Sequence, residues 1–549
     1  MATKRVSRVS RARGTRLLCG LVGLAMAAVL ASCGSSVGTT PARVASAKVS
    51  YVKNGTFTFA VADDPGNLDP LESTQTTAVN LFRFLYDPLI HVGANGKIVS
   101  GLASSWKVDG AKVTFTLRQG ATCSDGSAVT PAVVAEDFNF IKNPANASPL
   151  IGTFLPNADY TVTTDASANT VTLNLSQPFG FILESLSLFP IVCGAGAVSP
   201  TSLSETASGS GPYVLTQAVP GDHYTLARRA GYEWGPGGAS NSASGSPKAI
   251  VMKIVANETT AANLLLSGGL NAAVIDGPNH SRIHGSGYSY LRVVSGGVMM
   301  MFNETTGHPT ADPTVRKAIT MALNRGDLAS IVTEGLDPTP SHSIAPAEPQ
   351  ACPDSAAAAS IPSYNLASAK KLLTADGWKV GSNGIRSKDG ETLSLTAPYL
   401  STAAGNLPGM ELAASELQKL GVHLTLDPIT EGTLSQILFG TANYDIWPLL
   451  ALSVPLPSTL VGLFSGPAPP DGINPAHIDN AKFNSLTAKA LQTSGSAGCS
   501  LWVSAEKALF SRPDVVPMAA VVTNWELVHS SLQTFEGRIT PTSIRLLKS

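Results

Sequence analysis

Three amphipathic stretches in the second half of the chain most strongly limit what it can fold into. Apolar residues recur there at helical spacing over residues 315–323, 366–373 and 410–420. Gly377 and Gly421 follow the second and third stretches, where a left-handed residue commonly ends a helix. Residues 422–426 then alternate apolar and polar side chains, which is typical of a strand. Helix giving way to strand in this rhythm predicts an α/β lobe.

The first half of the chain carries a different pattern. Val113, Phe115 and Leu117 alternate with polar residues, which predicts a half-buried strand. A second alternating stretch, residues 171–175, follows Ala168-Asn169 and suggests a hairpin partner. This part of the chain is therefore expected to be rich in β-structure.

The N-terminus has the features of an export signal. Six basic and no acidic side chains precede the apolar run Leu17 to Ala31, whose 15 residues are fewer than a membrane-spanning helix needs. The run ends at Leu30-Ala31-Ser32-Cys33, which resembles the lipobox of bacterial lipoproteins. We therefore expect a lipoprotein signal peptide at 1–32, lipidation of Cys33 and a flexible tether at 33–50. An ordinary signal peptide with an incidental cysteine is the alternative.

Length and charge limit the partners and the architecture that the chain can have. Without residues 1–32 the chain keeps 31 basic and 38 acidic side chains, a formal charge of −7, which argues against a nucleic-acid partner. About 500 residues exceed what one hydrophobic core holds, so at least two lobes are expected. No later stretch is long and apolar enough to span a membrane.

Four cysteines remain after Cys33: Cys123, Cys193, Cys352 and Cys499. An even number in an exported protein favours two disulfides. Four cysteines allow three pairings, and we favour Cys123 with Cys193 and Cys352 with Cys499 because each pair falls within one region of the chain. The absence of C-x-x-C gives a thiolate metal site no support.

Short segments spread over the chain occur in an order that resembles a known family. They are Asn67-Leu68-Asp69-Pro70, Leu85-Tyr86-Asp87-Pro88-Leu89, Gly101-Leu102-Ala103-Ser104-Ser105-Trp106, Gly209-Ser210-Gly211-Pro212-Tyr213, Phe302-Asn303, Val315-Arg316-Lys317-Ala318-Ile319 and Tyr364-Asn365. Their order and spacing resemble the family 5 extracellular solute-binding proteins of bacterial ABC importers, which include oligopeptide, dipeptide and nickel binders.

The resemblance implies an α/β, two-lobed periplasmic-binding-protein-like fold of type II, cluster C, with an extra β-rich subdomain on the first lobe. The two lobes would close like a hinge around a solute. The expected parts are lobe I at 51–86, 201–297 and 516–549, the extra subdomain at 87–200, and lobe II at 298–515.

Carrying the family's positions over places Thr74 and Thr76 in the cleft from the first lobe, and Trp447, Leu450 and Ser453 from the second. Trp447 has a second interpretation as a core residue. Ser453 stands where many peptide-binding members carry an aspartate that grips the peptide ammonium. A serine cannot neutralise a buried cation, so the apolar loop around it favours a ligand with a hydrophobic portion or a blocked peptide.

The function implied is capture of a small solute, a peptide or peptide-like molecule, and its delivery to an ABC permease and ATPase. Nickel chelate, haem and glycan stay open as ligands. The receptor would be monomeric, extracytoplasmic and held by its lipid on the outer face of the cell membrane, with no cofactor, no resident metal and no catalytic residues. The alternative is an envelope regulator or sensor of the same fold that does not serve transport.

Other chemistry is less well supported. Ser368 and Ser504 each begin an S-x-x-K tetrad, but the partner motifs of penicillin-binding enzymes are missing. His280 and His284 have the i, i+4 spacing of a metal pair, yet glycines and a proline around them favour a surface loop. The acidic residues Asp63, Asp64 and Asp69 are interpreted as turn caps rather than as a cation site.

Overall fold

A computed structural model describes residues 50–151, 154–155, 159–194, 203–204, 206–401, 405–454 and 456–548. The strands of this part are β1 (Thr56–Val61), β2 (Ile90–Val92), β3 (Ile98–Ser100), β4 (Ala103–Asp109), β5 (Lys112–Leu117), β6 (Tyr160–Asp165), β7 (Thr170–Leu175), β8 (Tyr213–Val219), β9 (His223–Arg228), β10 (Ala249–Ile254), β11 (Ala272–Val274), β12 (Tyr288–Phe302), β13 (Lys379–Val380), β14 (Arg386–Lys388), β15 (Glu391–Thr392), β16 (Ser394–Leu400), β17 (His423–Ile429), β18 (Ile446–Leu452), β19 (Val515–Val528), β20 (Ser530–Ser531), β21 (Thr534–Phe535), β22 (Arg538–Ile539) and β23 (Arg545–Leu546).

The α-helices of the same part follow in chain order. They are α1 (Thr76–Leu85), α2 (Pro131–Lys142), α3 (Ile182–Leu186), α4 (Glu258–Leu266), α5 (Pro313–Ala322), α6 (Arg325–Val332), α7 (Leu366–Ala375), α8 (Asn406–Leu420), α9 (Glu431–Gln436), α10 (Val461–Phe464), α11 (Ala481–Leu491) and α12 (Cys499–Ser511). Within these described residues, none of the helices has the length and apolar character needed to cross a membrane.

The helices predicted from periodicity form where expected, and their ends show why. Asp312 caps α5 by accepting a hydrogen bond from the Thr314 amide at 2.7 Å, with Pro313 as the first helical residue. Gly377 and Gly421 have φ of +97° and +92°, so each ends its helix in the left-handed conformation. After Gly421 the chain enters β17, which pairs in parallel with β16.

A mixed eight-stranded sheet connects the two halves of the chain, with strand order β18-β12-β19-β11-β1-β10-β9-β8. The two largest hydrophobic cores contain residues of its strands. The first includes Phe57, Phe115 and Trp525, and the second includes Met301, Leu417 and Leu509. The predicted second lobe therefore has its own core, while the β-rich subdomain shares one core with lobe I.

The long antiparallel strands β12 and β19 pass from one core to the other. Val293 belongs to the first core and Val298 to the second, while β19 changes core between Ala519 and Trp525. β19 continues unbroken from one core to the other. Residue 516, the expected start of the last part of lobe I, therefore lies before the change of core. The register of the pair shifts between Val294 and Gly296 and again at residues 298–299. Bulges at this crossing bend the strands locally where a hinge would have to move.

The β-rich subdomain is a four-stranded antiparallel sheet of order β4-β5-β7-β6. Val113, Phe115 and Leu117 face its core, and Phe115 lies opposite Val171 in the ladder. The turn at Asn169, with φ of +53°, joins β6 to β7. The two alternating stretches thus pair as the sequence suggested.

Two of the family-like segments build cores rather than surfaces. Buried Asp87 accepts hydrogen bonds from Tyr232 Oη at 2.7 Å and from Trp234 Nε1 at 3.0 Å. Burial raises the pKa of Asp87 to about 7. Buried Arg316 instead forms an ion pair with Asp514, with Nη2 to Oδ1 at 3.0 Å. Each of these two residues stabilises the packed interior around it, and neither lines the cavity described next.

Candidate functional site

A cavity of about 590 Å³ lies where segments of both lobes and of the subdomain converge. This volume is within the usual range of small-molecule sites. Its wall contains Thr74, Thr76, Val79, Asn80, Phe154, Leu188, Val274, Ser295, Ala347, Ser453, Val454, Thr459, Thr523, Trp525, Glu536, Gly537 and Arg538. The mixture of hydroxyl, amide and apolar groups can hold a solute with both polar and apolar parts.

The structure brings together three of the five residues predicted to line the cleft. Thr74 lies in the loop before α1 and Thr76 is the first residue of that helix, so both reach the cavity from lobe I. Ser453 follows the last residue of β18 and reaches it from lobe II. All three stand at or just beyond the end of an element, where side chains leave the packed core.

Trp447 and Leu450 lie instead in the core of lobe II. Trp447 is 1% exposed and its ring packs edge-on against Tyr444, with centroids 5.8 Å apart. Leu450 is 4% exposed and belongs to the same core. The reason is that β18 is covered on both faces, since Ile446 to Leu450 are all buried. The core interpretation of Trp447 therefore describes its position, and the apolar run does not point into the cavity.

Two charged residues line the cavity, and both come from a short hairpin near the C-terminal end of the described chain. β21 and β22 are joined by Glu536 and Gly537, whose φ values are +50° and +78°. This is the left-handed pair of a tight hairpin turn. Arg538 Nη1 donates to Glu536 Oε2 at 3.4 Å, and Trp525 Nε1 donates to the Gly537 carbonyl at 3.0 Å. The indole thus fixes the turn that carries the ion pair.

A second arginine lies behind this pair. The guanidinium carbon of Arg83, in the last turn of α1, is 5.2 Å from the centre of the Phe535 ring. Burial lowers the pKa of Arg83 to about 10, which leaves it charged at neutral pH. Burial raises the pKa of the Glu536 carboxyl, while Arg538 and Arg83 act in the opposite direction. One carboxyl therefore faces two guanidinium groups.

Among the described residues of the cavity wall, two polar atoms are buried and have no hydrogen-bond partner: Arg538 Nε, a donor, and Asn80 Oδ1, an acceptor. A mainly apolar side pocket of about 70 Å³, which Arg83 also lines, adjoins the cavity and shares Val79, Phe154 and Leu188 with it. The cavity thus offers polar contacts beside a small, mainly apolar recess.

The other chemical candidates lie outside this cavity. His280 sits in a 3-10 turn, not in a helix that could place it with His284, and its ring bonds the buried Glu526 carboxylate. Ser504 donates to the Ser500 carbonyl within α12. Among the described residues no group of three or more His, Cys, Asp or Glu side chains is arranged to hold a metal ion.

The acidic residues near the start of lobe I serve as caps. Asp64 Oδ1 accepts from the Gly66 amide at 2.8 Å and its Oδ2 from the Gly221 amide at 2.6 Å. Asp69 Oδ1 accepts from the Leu71 amide at 2.8 Å, and burial raises the pKa of Asp69 to about 6.

The structure joins Cys123 to Cys193 within the subdomain and Cys352 to Cys499 within lobe II. Cys33 and the expected signal peptide and tether, apart from Ser50, lie outside the described residues.

Sequence reasoning missed Asn80, Trp525, Glu536 and Arg538. Asn80 lies one turn after Thr76 on α1, so helical spacing from a predicted cleft residue could have found it. The two hairpin charges had only the Glu536-Gly537 turn as a signal, and that turn carries no information about what it faces.

A two-lobed body with a solute-sized cavity at the meeting of its lobes defines a ligand-binding protein of the hinged type. The family model of the bacterial extracellular solute-binding proteins, family 5 Middle, matches residues 97–461. The chain belongs to this family.

Similar proteins differ in what their names say they bind. The nickel-binding periplasmic protein of Escherichia coli is 23% identical over 380 residues, which make up 66% of this chain and 69% of that protein. The periplasmic murein peptide-binding protein MppA of the same organism is 24% identical over 48% of this chain and 52% of its own length. The chain thus spans between about half and about two thirds of these relatives.

A solved structure shows the same fold. It is a substrate-binding protein from Microbacterium hydrocarbonoxydans in complex with 4-hydroxybenzoate hydrazide, at 24% identity. The TM-score is 0.69, and the match covers 90% of this chain and all of that one. The expected two-lobed α/β architecture is therefore confirmed.

Proposed function

We propose that this chain is the solute receptor of an ABC importer, which captures a peptide or peptide-like solute between its lobes and delivers it to a permease. The observation that carries the proposal is the cavity of about 590 Å³ whose wall includes Thr76 of lobe I and Ser453 of lobe II. A solute that contacts both walls favours the closed form, and a partner can recognise that form.

The cavity supports a solute with a polar backbone and an apolar part. Hydroxyl and amide groups line the main space, and the side pocket that shares Phe154 and Leu188 is mainly apolar. Ser453 brings no carboxylate to the place where a peptide ammonium would need one, and the Glu536 carboxylate in the cavity wall already pairs with Arg538. A blocked or modified peptide therefore fits better than a free N-terminus.

The receptor is proposed to do no chemistry, to need no cofactor and to act as a monomer. Cys33 would carry the lipid that holds it on the outer face of the cell membrane. A Cys33→Ala variant should then leave the membrane fraction, and continued retention without lipid label would refute the anchor.

The first experiment is to purify the protein from its native host without refolding and to identify by mass spectrometry what denaturation releases. Peptides or acylated peptides would support the proposal. Another class of solute would keep the receptor function and change its substrate. An empty cavity that also binds nothing in ligand screens would favour the envelope regulator or sensor.

A pair of variants tests whether the cavity holds the molecule. Ser453→Trp places a large side chain in the cavity and should abolish the released solute. Ser289→Trp adds the same side chain at an exposed position of β12 and should leave it unchanged. Equal solute in both variants would place binding elsewhere.

A further inference from the structure

The hairpin pair in the cavity has more positive than negative charge around it. Arg538 and Glu536 are the two titratable side chains in the cavity wall of the described chain, and Arg83 lies close enough to Glu536 to influence its ionisation. With Glu536 ionised, the three groups sum to one positive charge. Arg538 and Glu536 face a cavity that otherwise offers hydroxyl, amide and apolar groups, while Arg83 lines the adjoining side pocket.

The protein satisfies only part of the hydrogen-bonding capacity of Arg538. Its Nη1 contacts Glu536 Oε2 at a long 3.4 Å, while its Nε is buried without a partner. A buried donor left unpaired is costly, and in a binding site a ligand atom can supply the missing partner. A guanidinium with one free edge matches the geometry of a carboxylate.

We propose that Arg538 is the specificity-determining contact of the cavity and that it binds a carboxylate of the solute. This inference rests on the proposed function, since it names the class of ligand that the receptor takes. Asn80 Oδ1, the other unpartnered atom of the wall, accepts a hydrogen bond from an N–H or O–H of the same molecule. The ligand is thus an acidic solute. Glu536 holds the Arg538 guanidinium in place and also competes with the solute carboxylate for it.

The competition distinguishes a ligand contact from a structural ion pair. Arg538→Gln should reduce affinity for an acidic solute at least tenfold, because a charge-assisted hydrogen bond is lost. Glu536→Gln should increase affinity several-fold, because it removes the competing negative charge and keeps the oxygen acceptor. A purely structural pair predicts weaker binding for both variants. Arg282→Gln changes an exposed arginine outside the cavity and should have no effect.

The experiment incubates each ligand-free protein with the small-molecule extract of the host and quantifies the bound molecules by mass spectrometry. The wild type should retain carboxylic acids, and methyl esterification of the released acid should weaken rebinding at least tenfold. The esterification arm needs no variant, so it stands even where Arg538→Gln fails to fold. Comparing peptide acids with simple organic acids among the retained molecules identifies the source of the carboxylate.

Each outcome decides between the two proposals. Retention of solutes without a carboxylate, or unchanged binding after esterification, overturns the role of Arg538 and leaves the receptor function standing. Lower affinity for the Arg538 variant together with higher affinity for the Glu536 variant supports the role of Arg538. A wild-type protein that retains no small molecule overturns the receptor function and this inference with it.

Discussion

The two lobes come together at two places of opposite chemistry. In the cavity, hydroxyl, amide and charged groups face open space. Elsewhere, the subdomain segment around Phe181 packs directly on lobe II in what we call the apolar contact, formed by Phe181, Leu456, Ala490 and Trp502. The rings of Phe181 and Trp502 stack with centroids 5.6 Å apart. The comparison indicates two separate roles. The apolar contact stabilises the packing of the subdomain on lobe II, and the cavity selects the solute.

Backbone hydrogen bonds reinforce the apolar contact. The Gly180 amide donates to the Leu491 carbonyl at 2.6 Å, and the Gly495 amide donates to the Gly180 carbonyl at 2.9 Å. Apolar burial is worth roughly 25 cal/mol per Å². These groups hold the subdomain against lobe II, and none of them lines the cavity.

The largest expected effect is on Trp502. Trp502→Ala should lower the free energy of unfolding by about 3–5 kcal/mol, the usual loss for a buried tryptophan. Trp502→Phe keeps the stacking partner and should lose much less. In contrast, Ser453→Ala in the cavity should change stability by less than about 0.5 kcal/mol. Urea unfolding measures all three, and a similar loss for Trp502→Ala and Ser453→Ala would remove the distinction between the two places.

The second-largest expected effect is a pH dependence of the free energy of unfolding, which comes from Glu506 beside the apolar contact. Glu506 lies in a small pocket with Trp502 and Cys352, and its Oε1 accepts from Ser343 Oγ at 2.6 Å and from the Ile344 amide at 3.0 Å. Burial raises the pKa of Glu506 to about 7, although these hydrogen bonds oppose the rise. A raised pKa in the folded state means that the protonated form is favoured there. Its stabilisation is complete below the ordinary pKa of 4.5 and is lost as the pH rises through about 7.

Glu506→Gln keeps an oxygen acceptor for both donors and cannot ionise. Between pH 5 and pH 8 the wild type should lose up to about 3 kcal/mol of unfolding free energy more than the variant does. Other buried carboxyls, such as Asp87, titrate in both proteins and cancel in the difference. Parallel stability curves for the two proteins would show that Glu506 does not titrate in this range.

The two places also differ in how far the sequence could predict them. Periodicity and helix-ending glycines predicted the α/β structure of the second half of the chain, because they report local packing. The family-like segments with Asp87 and Arg316 are core features, so they predict the fold and say little about the ligand. Thr74, Thr76 and Ser453 reach the cavity because they stand at element ends, which a sequence can indicate.

The remaining site residues depend on long-range topology. A strand buried on both faces has the same apolar run as a strand facing a cleft, so Trp447 could not be placed from its neighbours alone. Arg538 reaches the cavity because the last part of the chain returns to lobe I and forms a hairpin beside α1. Arg538 is the first residue after the turn of this hairpin. Likewise, Phe181 and Trp502 are more than 300 residues apart in the sequence, and no local pattern connects them.

The smallest expected effect is at Gly180, where the apolar contact depends on close approach of two backbones. A Cβ at Gly180 would lie 2.7 Å from the Thr493 carbonyl oxygen and 2.8 Å from that of Ala490, so one segment must move. Gly180→Ala should therefore cost about 1–3 kcal/mol of stability although it removes no apolar surface. Gly326→Ala is the matched control, because its Cβ would meet only Asn324 Oδ1 at 3.5 Å, and alanine is the better helix former. A Gly180 variant as stable as the control would mean that the subdomain and lobe II are not held in the close contact on which the comparison depends.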